Sequence, residues 1–230
     1  MTLNDTISVR RTVRKFDKTP LETKVLSEIK KVVADTKQLI GQNARFEFVQ
    51  ADDVKGGSAP HYILAFCDKS DANYANVGYV LQKADLHIQS IGLGSAWLGS
   101  VKPKAKRNDF CIALAFGKTE VPVRISESEF KRLKLSDISP VENGIARAAR
   151  LAPSAMNSQP WKLRFEEGKV IVQLSPRGAM RLILGTKLNK VDLGIVTRHV
   201  EVALRNEGKR IKSIITSPSG KDLQIEVSYK

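Results

Sequence analysis

The chain has 230 residues, 42% hydrophobic and 27% charged, an ordinary globular composition that excludes a wholly disordered polypeptide. Lys and Arg number 38 against 24 Asp and Glu, so the net charge is +14 and the surface field favours anionic partners. Two cysteines exclude a disulfide framework and a four-cysteine zinc site.

In chain order, a short helix over residues 4–8 is followed by Arg10-Arg11-Thr12-Val13-Arg14-Lys15. Thr19-Pro20-Leu21-Glu22 has the form of a helix start, with a hydroxyl cap, Pro at the first position and Glu at the third. Leu21, Val25, Leu26, Ile29, Val32 and Val33 then recur at helical spacing, which predicts a helix over 20–40. Apolar runs predict strands over 46–50 and 61–67, the second ending at Cys67. Val77, Val80, Leu81, Ala84, Ile88 and Ile91 form a stripe that predicts a helix over 74–92, with Gly92 placed to stop it. Gly92-Leu93-Gly94-Ser95-Ala96-Trp97-Leu98-Gly99 continues as a strand or loop in close contact with something; Trp97 stands where a dinucleotide-binding motif needs its third glycine. A strand is predicted over 110–117, containing Cys111; both cysteines read as buried strand thiols. Residues 118–138 are polar and basic.

The second half repeats the theme. Ser139-Pro140-Val141-Glu142 opens a predicted helix over 141–152, and strands follow over 161–166 and 169–174. Leu193, Val196, Val200, Ala203 and Leu204 mark a helix over 191–207 with Gly208 at its end, before strands over 211–215 and 223–229. The two helix starts lie 120 positions apart, and the pairs Gly78/Gly194 and Gly92/Gly208 lie 116 apart. Two features at nearly one offset indicate a degenerate duplication within an α+β chain. No run reaches the ~18 apolar residues of a membrane span, and residues 1–5 lack an apolar signal-peptide core. The expectation is a soluble, reduced, cytoplasmic protein.

Two segments stand out chemically. Guanidinium groups bracketing a hydroxyl, as in Arg10-Arg11-Thr12-Val13-Arg14, suit a phosphate, because the planar fork donates paired hydrogen bonds. A solvated basic turn and a nucleic-acid arm are the other readings of that run. Ala152-Pro153-Ser154-Ala155-Met156-Asn157-Ser158-Gln159-Pro160-Trp161 leaves a helix and enters a strand; its small residues admit a flat ligand, and Ser154, Asn157 and Gln159 supply donors and acceptors. An ordinary helix-to-strand connection remains open on spacing alone. His61, His87 and His199 are isolated in sequence, with no H-E-x-x-H, G-x-S-x-G or Walker A pattern, and 6% aromatics leave few platforms for stacking on nucleic-acid bases.

These segments resemble the flavin-dependent nitroreductase family. Arg10 to Arg14 match its R-R-S-x-R, with Thr12 for Ser; Ala152 to Trp161 match its A-P-S-x-x-N-x-Q-P-W; Gly92 to Gly99 match its G-L-G-x-x-W-[LI]-G. Ala59-Pro60-His61-Tyr62-Ile63-Leu64 and Ile112-Ala113-Leu114-Ala115-Phe116-Gly117 are similar to two of its strands. The order departs from the ordinary family: the A-P-S loop lies in the second half, and residues 38–46 carry only an echo of it. This resembles a tandem, single-chain branch.

The resemblance implies a nitroreductase-like fold of two degenerate tandem units, 1–125 and 126–230, with antiparallel or mixed sheets flanked by helices. The units would pack as an intramolecular pseudodimer, monomeric in solution. It implies flavin mononucleotide (FMN), with NADH or NADPH as reductant and a nitroaromatic, quinone or similar small-molecule acceptor. Hydride would pass from nicotinamide to flavin N5 and on to the acceptor in a ping-pong cycle, with no catalytic side chain and no metal. Arg10, Arg11, Thr12 and Arg14 would hold the phosphate and ribityl chain. Pro153, Ser154, Ala155 and Asn157 would line the ring from the other unit. Leu98 and Gly99 would approach its reactive edge, and Arg124, or more weakly Lys55, would be the late basic residue on the phosphate. The position 120 after the grip reads Phe130-Lys131-Arg132-Leu133-Lys134, basic but without the hydroxyl, so one FMN per chain is expected. The alternatives are a flavin-binding protein with little turnover and a basic nucleic-acid-binding protein; the former differs in oxidising no NAD(P)H with added acceptors, the latter in salt-dependent DNA binding.

Overall fold

The computed structural model describes residues 1–39, 41–176, 187–220 and 222–230. Ile40, within the echo segment, lies outside them. Helices α1 (Leu3–Val9) and α2 (Thr23–Ala34) precede β1 (Ala44–Gln50), β2 (Val54–Lys55) and β3 (His61–Cys67). Then come α3 (Asp71–Ser90), β4 (Gly94–Leu98), β5 (Lys102–Pro103) and β6 (Phe110–Gly117). The second half has α4 (Gly144–Leu151), β7 (Trp161–Glu166), β8 (Lys169–Leu174), α5 (Leu188–Asn206), β9 (Ile211–Ser219) and β10 (Asp222–Tyr229).

The strands form two four-stranded antiparallel sheets, ordered β1-β3-β6-β4 and β7-β8-β10-β9. The order is the same in both: first, second, fourth, third, with a long helix joining the second strand to the third. β3 is buried along its whole length, because alternate residues face two different cores. Ile63 and Ala65 join the main core with α3 and α5; Tyr62, Leu64 and Phe66 join a smaller one with Val54, Val101, Ala113 and Ala115. Cys67 and Cys111 are buried free thiols.

Between the sheets α3 crosses α5 at backbone contact. A Cβ on Gly78 would lie 2.0 Å from the Val191 carbonyl oxygen, and a Cβ on Gly194 1.8 Å from that of Ala75. Only glycine permits so close an approach. Val191 and Ala75 are themselves 116 positions apart, so the contact is reciprocal, as across a two-fold axis. Both helices end alike: Gly92 (φ 84) and Gly208 (φ 77) adopt the left-handed conformation, and Leu93 N–H and Lys209 N–H return to the carbonyls of Ile88 and Leu204.

Two expected helix starts shift. α2 begins at Thr23 and α4 at Gly144, not at Pro20 and Val141. The Thr19 hydroxyl donates to Asp17, and Leu21 N–H donates to His61 Nε2 at 2.8 Å, so the chain at 19–22 is committed elsewhere. Ser139 bonds Val141 in the same way, and Asn143 caps α4 through Ala146 N–H. The helix expected over 20–40 is therefore only Thr23–Ala34. No helix among the described residues is long and apolar enough to cross a membrane.

Candidate functional site

A cavity of about 280 Å³, close to the lower bound of about 300 Å³ usual for ligand sites, lies where the two halves meet. Thr12, Arg14, Trp97, Gly99 and Ile112 line one side. Pro153, Ser154, Ala155 and Met156 line another, and Leu188, Val191, Asp192 and Ile195 of α5 close it. Segments some 140 residues apart in sequence thus share one wall set.

Each segment is fixed by its backbone. Residues 10–13 run beside β4: Thr12 bridges Ser95 in parallel, and Val13 N–H donates to Ser95 O at 2.9 Å. The loop after α4 is unusual. Met156, Asn157 and Gln159 all have positive φ, at 51°, 57° and 46°. Such strain persists only where surroundings over-determine it. Here Ala155 N–H donates to both Asp192 oxygens at 3.0 and 3.1 Å, Gln159 N–H to Ser154 Oγ at 2.9 Å, and Leu133 N–H to Gln159 Oε1 at 3.0 Å. Complete burial pushes the Asp192 carboxyl up to about 8, against the lowering effect of the Ala155 N–H. Burial therefore favours the protonated carboxyl, whose O–H can donate.

The residues singled out from sequence separate into two groups. Thr12, Arg14, Gly99, Pro153, Ser154 and Ala155 line the cavity; Arg10, Arg11, Leu98, Arg124 and Asn157 do not. Arg10 is 1% exposed, with Nε 3.1 Å from Asp85 and Nη2 without a hydrogen-bond partner. Arg11 points to Glu129, Nη2 to Oε2 2.5 Å, and its N–H donates to Gln89 Oε1. The Leu98 side chain packs in the smaller core, while its neighbours Trp97 and Gly99 face the cavity. Arg124 donates to Arg10 O and lies 4.1 Å from the centroid of the Phe130 ring. Asn157 accepts from Arg132 and donates to Lys131 O at 2.5 Å. Lys55 pairs in β2 with β5, outside the cavity lining.

Asp192, which lines the cavity, was not legible as a site residue, because an isolated Asp in a helix carries no motif. His61, His87 and His199 are structural: His61 receives Leu21 N–H and stacks on Phe116, His87 meets Glu28 at 3.1 Å, and His199 is buried against Ala148 O. Burial, reinforced by Arg10 and Arg132, lowers His199 to about 3, so it is neutral. No group of metal-ligating side chains occurs among the described residues.

A second, smaller cavity of about 190 Å³ repeats the first. Lys37, Gln38, Leu39, Tyr79 and Ser213 line it, each 116 positions from Pro153, Ser154, Ala155, Ile195 and Trp97 of the first. Leu39 N–H donates to Asn76 Oδ1 at 2.9 Å, the counterpart of Ala155 with Asp192. Two differences close it. Buried Tyr79 stands where the first cavity has Ile195, its hydroxyl 2.8 Å from Glu201 and its ring 3.6 Å from the Arg198 guanidinium. The positions 116 after Thr12 and Arg14 are Ser128 and Phe130, and neither lines it.

The family model described as "Putative TM nitroreductase" matches residues 2–204. A crystal structure from Thermotoga maritima, described as a "putative nitroreductase", superposes with a TM-score of 0.73 over 99% of this chain and 94% of that chain, at 19% identity. An FMN-dependent nitroreductase from Clostridium difficile R20291 is 18% identical over 53% of this chain and 91% of its own, with a TM-score of 0.42. A protein from Bacteroides thetaiotaomicron described as a "Putative NADH dehydrogenase/NAD(P)H nitroreductase" is 15% identical over 56% of this chain and 92% of its own, with a TM-score of 0.43. No curated protein matches the sequence. With the family model spanning most of its length and an α+β fold shared end to end with the Thermotoga structure, the chain belongs to the nitroreductase family.

Proposed function

We propose that this chain is an FMN-dependent NAD(P)H oxidoreductase of nitroreductase type, formed of two related units (1–125 and 126–230) that pack as an intramolecular pseudodimer. The single observation that carries the reading is the cavity itself: Thr12 and Arg14 from one unit face Pro153, Ser154 and Ala155 from the other. In an ordinary dimer two subunits would have to supply these.

The residues present fit the cofactor. Trp97, Ile112, Leu188, Val191 and Ile195 give an apolar slot suited to a flat ring system. Arg10 Nη2 is a buried donor without a partner, and such groups are rare unless a ligand completes them. Arg10, Thr12 and Arg14 would hold the phosphate and ribityl chain; Pro153, Ser154 and Ala155 would cover the ring. When bound, FMN supplies a ring that takes up and gives back a hydride equivalent, the hard chemistry that side chains cannot provide. The chain's own residues then bind, orient and exclude water. Thr12 offers a hydroxyl, Gly99 a backbone position where an added Cβ would meet nothing within 4 Å, and Asp192 a carboxyl whose burial favours its protonated form. Arg14, Gly99 and Met156 are exposed at the cavity, where reductant and acceptor can enter in turn.

The test is NADH or NADPH oxidation by the purified FMN-loaded protein, with a nitroaromatic or quinone added. Acceptor-dependent oxidation supports the reading. Bound FMN with no rate increase for any acceptor would instead identify a flavin-binding protein with little turnover.

A further inference from the structure

The two cysteines do not line the cavity, but they meet each other. β3 and β6 pair in register as far as Ala65 with Ile112; the next pair is Phe66 with Phe110, so Cys111 is an extra residue in β6. Such a bulge bends its strand and re-aims side chains. Here it leaves Cys111 and Ile112 on one face, toward the main core, which is also the face of Cys67. Phe66 and Phe110 point the other way, with ring centroids 5.8 Å apart. Each thiol is the other's hydrogen-bond partner. Cys67 N–H donates to Asp109 O at 3.0 Å and Lys187 Nζ to Cys111 O at 2.7 Å, so both backbones are held and a cation stands beside the pair.

A buried cysteine is ordinarily a small apolar residue and chemically inert. This pair departs from that in two respects. The Cys111 S–H and the Lys187 charge lower Cys67 in spite of its burial, while Cys111 is pushed up by the same partner and by burial. Cys67 is also followed by the exposed Asp68, and Cys111 lies two residues from the half-buried Asp109, so the surface is near. We propose that Cys67 and Cys111 are a redox-active dithiol, closed to an intrachain disulfide by a hydroperoxide. One thiolate attacks the peroxide O–O bond: its sulfur takes one oxygen as a sulfenic acid, and the other oxygen leaves as an alcohol, or as water from hydrogen peroxide. The second thiol attacks the sulfenic sulfur, the S–S bond forms, and the oxygen leaves as water. The two sulfurs together lose two electrons and two protons, and the peroxide is reduced. Ile112 and Leu188, the residues after Cys111 and Lys187, line the cavity, so the couple stands directly behind its wall.

The test treats the reduced full chain with hydrogen peroxide, quenches it, unfolds it and adds N-ethylmaleimide before reading the intact mass. Wild type is expected to give a monomer lighter by two hydrogens that takes no label, and dithiothreitol should restore both labelling sites. A proteolytic digest should then show the peptide holding Cys67 joined to the peptide holding Cys111. In Cys67→Ser and Cys111→Ser the remaining cysteine should gain oxygen or keep its label, with no species lighter by two hydrogens. Wild type that keeps both labels overturns the proposal, since the thiols are then inert. Oxygen added to either cysteine without a joined peptide, or a disulfide found only between chains, overturns it as well. The wild-type result stands without the variants, so a variant that fails to fold leaves the digest to decide. The outcome does not depend on whether the chain binds a flavin.

Discussion

Asp192 is the residue whose environment most changes its chemistry. Its carboxyl is buried, lines the cavity, and has the Ala155 N–H as its hydrogen-bond donor. The native state keeps the proton up to about pH 8, whereas the unfolded chain releases it near the ordinary value of 3.8. Between those values the native state binds the extra proton, so this group's contribution to stability falls as pH rises. Asp192→Asn removes the titration but keeps an oxygen for Ala155, as Asn76 does for Leu39 in the second cavity. Thermal unfolding of the flavin-free protein between pH 5 and 9 checks this. Wild type should lose on the order of a few kcal/mol across that range relative to Asp192→Asn. Parallel pH profiles would show that Asp192 is ionised when folded. Arg10 illustrates the opposite solution: its charge is buried beside Asp85, which also accepts from Gln82, Gln89 and Ser95.

At the scale of elements, the α3–α5 crossing carries the architecture. Replacing Gly194 with Ala places a methyl carbon 1.8 Å from Ala75 O, and backbone on both sides must move. Gly194→Ala is expected to cost about 3 kcal/mol or more, and Gly78→Ala a similar amount, because the two contacts are counterparts. Denaturant unfolding measures both; a loss below about 1 kcal/mol in either would show that the helices separate easily.

The sequence carried this element well and others poorly. Gly78, Gly92, Gly194 and Gly208 were legible because a glycine inside or ending an apolar stripe has few other reasons to be there. Strands β3, β6 and β8 were legible as apolar runs bounded by polar residues, and β7 and β10 as alternations of apolar with polar residues. The helix starts were not: Thr19 and Ser139 have the right residue types, but Asp17, His61 and Val141 compete for the same groups, and that competition is tertiary. β4 was left between strand and loop, since two glycines blur its alternation; its pairing with β6 decides it. Of the site, the motifs pointed to residues lining the cavity, but spacing could not show that Asn157 turns to Arg132 or that Leu98 turns to the smaller core.

For the molecule as a whole, the +14 charge divides into built and general parts. Arg10, Arg124 and Arg132 are committed near the cavity. Arg107 covers the Phe66 ring and pairs with Asp109 and Glu47, a surface role. The surplus on the rest of the surface favours encounter with anionic molecules. The two halves share strand order and a reciprocal helix crossing, yet their cavities differ: the first has Thr12, Arg14 and a small residue at Ala155, the second has Tyr79 filling it against Glu201 and no grip. The central claim is one working site made jointly by both halves. Flavin content after saturation with FMN and removal of excess, read from the visible absorption band against chain concentration, tests it most directly. The account predicts one FMN per chain; a ratio of two would show the second cavity open, and a ratio of zero would contradict the cofactor itself.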